Sequence, residues 1–388
     1  MFTWLLSKLK GDKIIWIIVF LLSLVSVLAI YSASSALAVR KDESSSFYAL
    51  KHIALLALGF GVMFIVHKIN YRIFAKITNT LLLISVPLLF YTVVSGREIN
   101  EAARWINVAG MSFQPSDLAK IALIMYLAKM LTLRQGIIKD FTEGFLPGIF
   151  WIIIICGLIA PTNLSTAIVL FMVSVLILFI AGVELKYIGV LFMIGFFGLL
   201  MLFAFAKRAS TWESRLHAYK EQLFTHDDGL YEGNYQALQS NIAVATGGFV
   251  GKGVGKSAQR NFLPSAFADF VFAIIVEEYG FMGSLFIILL YLSLLFRTIM
   301  IVSGSKTYGA LMASGLAFLL TLQALIHMGI TVGILPVTGV TLPLISMGGT
   351  SILFTSFSLG IILSVSRDAM QNKLSNNLRV DPKNLIRA

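Results

Sequence analysis

Long apolar runs follow one another along almost the whole chain, and no other feature limits its folding as strongly. At a rise of 1.5 Å per residue, a helical run of about 20 residues crosses the roughly 30 Å hydrocarbon layer of a bilayer. The apolar residues here form such runs rather than stripes with a 3.6-residue period. Composition agrees: of 388 residues, 58% are hydrophobic and 13% charged, with a mean hydropathy of +0.88. That balance lies far from a soluble globular chain. The expected fold is an all-α polytopic membrane protein.

Ten spans are expected, near 14–37, 50–66, 75–95, 118–132, 145–160, 164–181, 185–206, 281–302, 308–332 and 345–365. The run from Ile14 to Tyr31 is longer than the core of a cleaved signal peptide, so a retained first helix is expected. A long extracytoplasmic loop, 207–264, separates spans seven and eight, and 368–388 forms a polar cytoplasmic tail of a single membrane domain, 1–388. Orientation follows from Lys and Arg, which collect on the cytoplasmic side. Lys8, Lys10, Lys13, Lys68, Arg72, Lys76, Lys129, Arg134, Lys139, Lys186, Arg297, Lys306 and the tail all fall on one side, which places both termini inside.

The net charge of +11 is thereby accounted for by topology. No compact block of basic residues interleaved with aromatics points to nucleic acid. The one cysteine, Cys156, lies within an apolar run, so no intrachain disulfide forms and the residue reads as core.

Against this apolar background a few polar residues stand out. Asp269 sits within Phe267-Ala268-Asp269-Phe270-Val271-Phe272 at the edge of the eighth span. A lone acid at a membrane boundary costs free energy, about 2.5–3.5 kcal/mol at the bilayer centre on insertion scales and less at the interface. We read Asp269 as a catalytic base. Gln114-Pro115-Ser116-Asp117-Leu118-Ala119-Lys120 opens the fourth span, with proline at the first helical turn and Asp117 where the helix dipole favours an anion. Asp117 and Lys120, three apart, share a face. Lys120 and nearby Arg104 suit an anionic headgroup, with snorkelling to the interface as the plainer reading of the lysine.

The glycine-rich stretch Gly251-Lys252-Gly253-Val254-Gly255-Lys256-Ser257 lacks the spacing of a nucleotide-binding P-loop and follows no apolar strand. Two readings stay open for it, amides approaching a phosphate or a tight turn. Glu277 and Glu278 follow Asp269 by about two helical turns and point to different faces, which favours a structural pair over a second catalytic acid. His52, His67, His217, His226 and His327 show no metal-ligand spacing.

These residues, taken together and in order, resemble the SEDS family (shape, elongation, division and sporulation), the FtsW/RodA peptidoglycan polymerases. The resemblance covers nearly the whole length. It rests on Arg104-Trp105; Gln114-Pro115-Ser116-Asp117 with Lys120; Tyr235-Gln236 through Gln239-Ser240; Gly247 through Ser257; Leu263-Pro264 with Asp269-Phe270 and Glu277-Glu278; and Leu335-Pro336-Val337-Thr338-Gly339 running into Ser346-Met347-Gly348-Gly349-Thr350-Ser351. Gly255-Lys256-Ser257 with Gln259-Arg260, and Ser364-Val365-Ser366-Arg367, look more like the division-type FtsW branch. Four residues depart from the family pattern: Phe267-Ala268 replace polar neighbours of Asp269, Asn163 stands where an aspartate is common, and His327 where asparagine is common.

The resemblance implies glycosyl transfer between lipid II molecules on the outer face of the bacterial cytoplasmic membrane, at the division septum, with release of undecaprenyl pyrophosphate. It implies Asp269 as base. It also implies substrate contacts from Arg104, Lys120, Gln114, Arg215, Gln239, Ser240, Lys256 and Ser257, with Glu277, Asp117 and Ser346 as accessories. A divalent cation, Mg or Mn, is compatible with the pyrophosphate, although no ligand cluster demands one. The partners implied are a class B penicillin-binding protein and other divisome membrane proteins. A flippase for lipid-linked precursors and a non-catalytic scaffold activating the penicillin-binding protein are the alternative readings.

Overall fold

The computed structural model describes residues 10–40, 42–95, 97–99, 102–108, 111–205, 213, 215–217, 219–220, 232–263, 265–303 and 307–380. Twelve named helices lie among them: α1 Lys13–Ala33, α2 Ser35–Arg40, α3 Ser45–Lys68, α4 Arg72–Ser95, α5 Pro115–Leu133, α6 Leu146–Ile159, α7 Leu164–Ala181, α8 Leu185–Phe205, α9 Glu232–Gly247, α10 Val271–Val302, α11 Tyr308–Thr331 and α12 Gly349–Val380. Nine helical segments among the described residues are long and apolar enough to cross a membrane. The expected span not among these nine, the fourth at 118–132, is α5, 19 residues long. Asp117, Lys120 and Lys129 lower its hydropathy.

Local chemistry sets the helix ends. The carboxylate of Asp12 accepts from the amides of Ile14 (2.9 Å) and Ile15 (3.2 Å) and so caps α1. Asn163 caps α7 through Thr166 N (3.2 Å), and Gly182, left-handed at φ 92°, ends it. Proline at the first turn opens α5.

The bundle is unevenly packed. In α11 and α12, 78% of the most apolar window is buried, against 11% in α8. Almost every side chain of α5 is inside, from Ala119 to Leu131, so its charged residues face protein rather than lipid. That placement makes a charged span tolerable, because intramembrane charges are borne where protein partners surround them.

Three features depart from the expected layout. The segment 96–117 folds partly as a small antiparallel sheet, β1 Arg97–Ile99, β2 Ala102–Val108 and β3 Met111–Phe113, with Arg97 opposite Trp105 and Ile106 opposite Phe113. The long loop before Asp269 contains α9. The eighth span begins ten residues earlier than expected, at Val271, and breaks at Gly280 (φ 64°, ψ −162°).

Candidate active site

Asp269 lies on the turn that leads into α10. Ser265, with φ 58°, starts the turn, and the amides of Ala268 (2.9 Å) and Asp269 (3.1 Å) donate back to its carbonyl. Leu263, Ala266 and Phe270 anchor the turn in a small apolar cluster with Ala33, Ala243, Ala273 and Ile274. Asp269 itself is half-buried.

A second segment clamps this turn from the far end of the chain. Met347 N donates to Phe267 O (3.0 Å), and Ser346 Oγ donates to Ala268 O (2.6 Å) while accepting from Leu342 N (2.8 Å). The clamp is itself held by α10 and α11. The hydroxyl of Tyr291 donates to Pro343 O, and His327 Nδ1 lies 2.7 Å from Val340 O, so that nitrogen carries the proton. Irregular backbone of this kind persists at membrane depth where protein supplies its partners.

The same segment reaches the cation expected at the head of α5. Lys120 Nζ lies 2.8 Å from Asp117 Oδ1 and donates to Gln323 Oε1 (3.4 Å). Gln323 Nε2 donates to Thr341 O (2.9 Å), one residue before Leu342. A small cleft opens here, lined by Asp117, Lys120, Gln323, Ser351, Thr355 and Ser358 among others. Gln114 is buried beside it and donates from Nε2 to Ser116 Oγ (2.9 Å). Thus the segment 341–347 links the Asp117–Lys120 pair to the turn bearing Asp269.

The remaining candidates fall elsewhere. Ser240 is buried and donates to Thr331 O (2.7 Å), fixing α9 to the end of α11, while Gln239 beside it is half-buried. Arg215 Nη1 donates to Val337 O (3.4 Å). Arg104 is a residue of β2, next to Trp105, and its side chain lies outside the described residues. Lys256 is exposed on the glycine-rich loop, whereas Ser257 is buried and donates to Glu277.

Glu277 is completely buried. It receives Lys252 Nζ (2.6 Å) and the amides of Ala258 (3.1 Å) and Gln259 (3.2 Å) as well as Ser257 Oγ. Glu278 turns another way, accepting from Ser32 Oγ of α1 and from Ser257 N (3.3 Å). The loop amides of Lys252 (2.9 Å) and Gly253 (3.0 Å) donate to the carbonyls of Glu277 and Glu278. Those amides therefore brace the break in α10. Lys252 lies in the glycine-rich stretch noted in the sequence, but its pairing with Glu277 has no local signal. Gln323 and Thr341 carry no signal beyond polar character within or close to an apolar run.

Among the described residues no three His, Cys, Asp or Glu side chains gather into a metal-holding group. What the arrangement offers is a carboxylate on a clamped turn and, through one segment, a buried ammonium beside a cleft. Such a pair suits a transfer reaction in which a proton leaves one group and negative charge grows on another.

Comparison with known proteins gives one consistent picture. Residues 12–371 match the FtsW/RodA/SpoVE family, described as "Cell cycle protein". A relative from Geobacter sp. (strain M18), "Probable peptidoglycan glycosyltransferase FtsW", is 33% identical over 370 residues, covering 93% of this chain and 98% of its own. "Stage V sporulation protein E" of Bacillus subtilis (strain 168) is 33% identical over 373 residues, with 93% and 98% covered. The solved rod shape determining protein RodA of Thermus thermophilus superposes with a TM-score of 0.66 at 26% identity, covering 94% of this chain and 99% of that one. A chain from a structure described as "Structural coordination of polymerization and crosslinking by a peptidoglycan synthase complex" gives 0.71 at 28% identity, with 93% and 99% covered.

Proposed function

The chain belongs to the FtsW/RodA/SpoVE family, and on that premise we propose that it is a peptidoglycan glycosyltransferase that polymerises lipid II on the outer face of the cytoplasmic membrane. The observation that carries the mechanism is the 341–347 segment, which hydrogen-bonds both Gln323, the partner of Lys120, and the turn of Asp269. A base and a cation held by hydrogen bonds to one segment are kept in a defined relation to each other, which is what orientation requires.

In the proposed step the Asp269 carboxylate takes the proton of an acceptor sugar hydroxyl. That oxygen bonds to the anomeric carbon of the donor, and the bond from that carbon to the pyrophosphate breaks. One displacement inverts the configuration. Undecaprenyl pyrophosphate leaves with the electron pair, and Lys120, Arg104 and Arg215 are the cations proposed to receive its charge. Gln114, Gln239, Ser240 and Lys256 are proposed to line the path of substrate. Asp117 holds the Lys120 ammonium in place, and Ser346 positions the Asp269 turn. Ser257 and Glu277 act through the loop that braces α10. A divalent cation, Mg or Mn, enters the proposal only through the charge of the leaving pyrophosphate.

The relatives named FtsW, and the residues Gly255-Lys256-Ser257 and Ser364-Val365-Ser366-Arg367, support a role at the septum, and the distribution of Lys and Arg supports both termini in the cytoplasm. The similarity to a chain of a peptidoglycan synthase complex supports a class B penicillin-binding protein as partner, alongside other divisome membrane proteins.

Glycan-strand formation from labelled lipid II, with purified protein and its partner, tests the reading. The wild type makes polymer and Asp269→Asn, folded to the same melting temperature, makes none. Equal polymer from both removes Asp269 as the base. No polymer from either, with lipid II flipping in vesicles, transfers the chain to the flippase reading.

A further inference from the structure

Around Gly280 the usual polarity of a surface loop is inverted. Residues 248–257 carry glycines, lysines and a serine, a composition that ordinarily faces water, yet apart from Lys256 their polar side chains turn inward. Ser257 is buried against Glu277, Lys252 Nζ reaches the same carboxylate at 2.6 Å, and the amides at 252 and 253 donate to α10 carbonyls. The large side chains the loop leaves outside, other than Lys256, are apolar: Phe249 is 61% exposed, Val250 77% and Val254 57%.

The position of this surface identifies what covers it. Below Gly280, Phe281–Val302 is roughly 22 residues and so about 33 Å long, enough to cross the hydrocarbon layer alone. Gly280 and the loop against it therefore lie at the end of that crossing, at headgroup level. The ring of Phe249 stacks on Phe281, with centroids 5.9 Å apart and planes 21° from parallel. Phe281 begins a line of exposed apolar side chains, with Met282, Phe286 and Leu289, which in a membrane helix is the lipid-facing surface. The loop tip continues that surface. Lys256, exposed on the same loop, adds the charge that lipid phosphates attract.

We propose that Phe249, Val250 and Val254 form a foot inserted into the headgroup and acyl boundary of the bilayer at the Gly280 end of α10, with phospholipid as its occupant. Because the inner side of the loop holds Glu277, two turns from the Asp269 turn, the foot ties the depth of the candidate site to the membrane surface. The proposal is independent of the glycosyltransferase reading.

Single cysteines at Val250→Cys and Val254→Cys, in the full chain carrying Cys156→Ala, are labelled with a nitroxide in phosphatidylethanolamine and phosphatidylglycerol vesicles. Collision rates with oxygen and with a water-soluble nickel chelate are then measured. Both positions are exposed, so the labels leave the packing intact. The expected oxygen-to-nickel ratio at both sites is several-fold above that of a label at Lys220→Cys and approaches that of one at Phe286→Cys. A ratio equal to that at Lys220→Cys places the loop in water and overturns the proposal. Low collision rates with both reagents mean that protein covers the tip, which overturns it as well.

Discussion

Lys120 and Asp117 are both buried and in contact, and burial sets the consequence of separating them. Removing one partner of such a pair leaves an uncompensated charge in a low dielectric, typically a loss of about 3–5 kcal/mol, whereas removing both restores much of it. Lys120→Met is expected to lower the melting temperature in detergent sharply, and Lys120→Met with Asp117→Asn to recover most of it. If Lys120 also receives leaving-group charge, the double variant regains stability but makes no glycan polymer. Recovery of both would reduce the pair to a packing role. The pair was legible because residues three apart on one helix share a face. Gln323 was not, since it arrives from 203 positions away and nothing local marks it. Asp269 stands out in the sequence for a different reason, as a charge within the apolar stretch Phe267 to Phe272. The diverging faces of Glu277 and Glu278 followed from helix geometry alone: Glu277 takes Lys252 and the amides of Ala258 and Gln259, Glu278 takes Ser32 of α1, and Ser257 bonds both. Which partners they find required the fold.

At the scale of elements, the break in α10 is where local rules and tertiary structure meet. Gly280 holds φ 64° and ψ −162°, a region essentially reserved for glycine. A Cβ there would stand 2.5 Å from Gly251 N and 2.6 Å from Phe249 O. Gly280→Ala therefore meets both backbone strain, about 1–3 kcal/mol, and a collision with the backbone of the bracing loop. Hydrogen exchange is expected to quicken at the amides of Lys252 and Gly253, whose acceptors are the carbonyls before the break, while α11 amides keep their rates. Unchanged protection at 252 and 253 would show that the loop does not depend on the break. The expected start of this span, near 281, falls at the break because Glu277 and Glu278 interrupt the apolar run that begins at Phe270. Both acids are buried against protein, so the helix runs on through them from Val271. The β1–β3 sheet escaped for another reason. Two of its strands have three residues each, too few for alternation to register.

For the whole molecule, the order of helices was legible and their neighbours were not, since apolar runs report a shared solvent rather than a shared partner. Three distant pieces of chain meet at the start of α1. Asp12, completely buried, caps α1 and pairs with Arg297 of α10 (Oδ2 to Nη2, 2.8 Å; Nε donating at 2.8 Å), while its amide donates to Ser366 Oγ of α12 (2.9 Å). One residue, through its side chain and its amide, thereby joins the first, tenth and twelfth helices at the membrane end opposite the Gly280 break. Asp12→Ala removes a helix cap, about 1 kcal/mol, and a hydrogen-bonded charge contact, about 1.5–3 kcal/mol. Arg297 remains partly exposed, so its freed charge can reach water and the loss stays below that of a fully buried pair. The expected outcome is a lower melting temperature with polymer formation kept at temperatures below the transition. The cycle of Asp12→Ala, Arg297→Met and both together should then be strongly non-additive, because each single change already abolishes the contact. Additive effects would mean that the Asp12–Arg297 contact contributes nothing to joining α1 and α10.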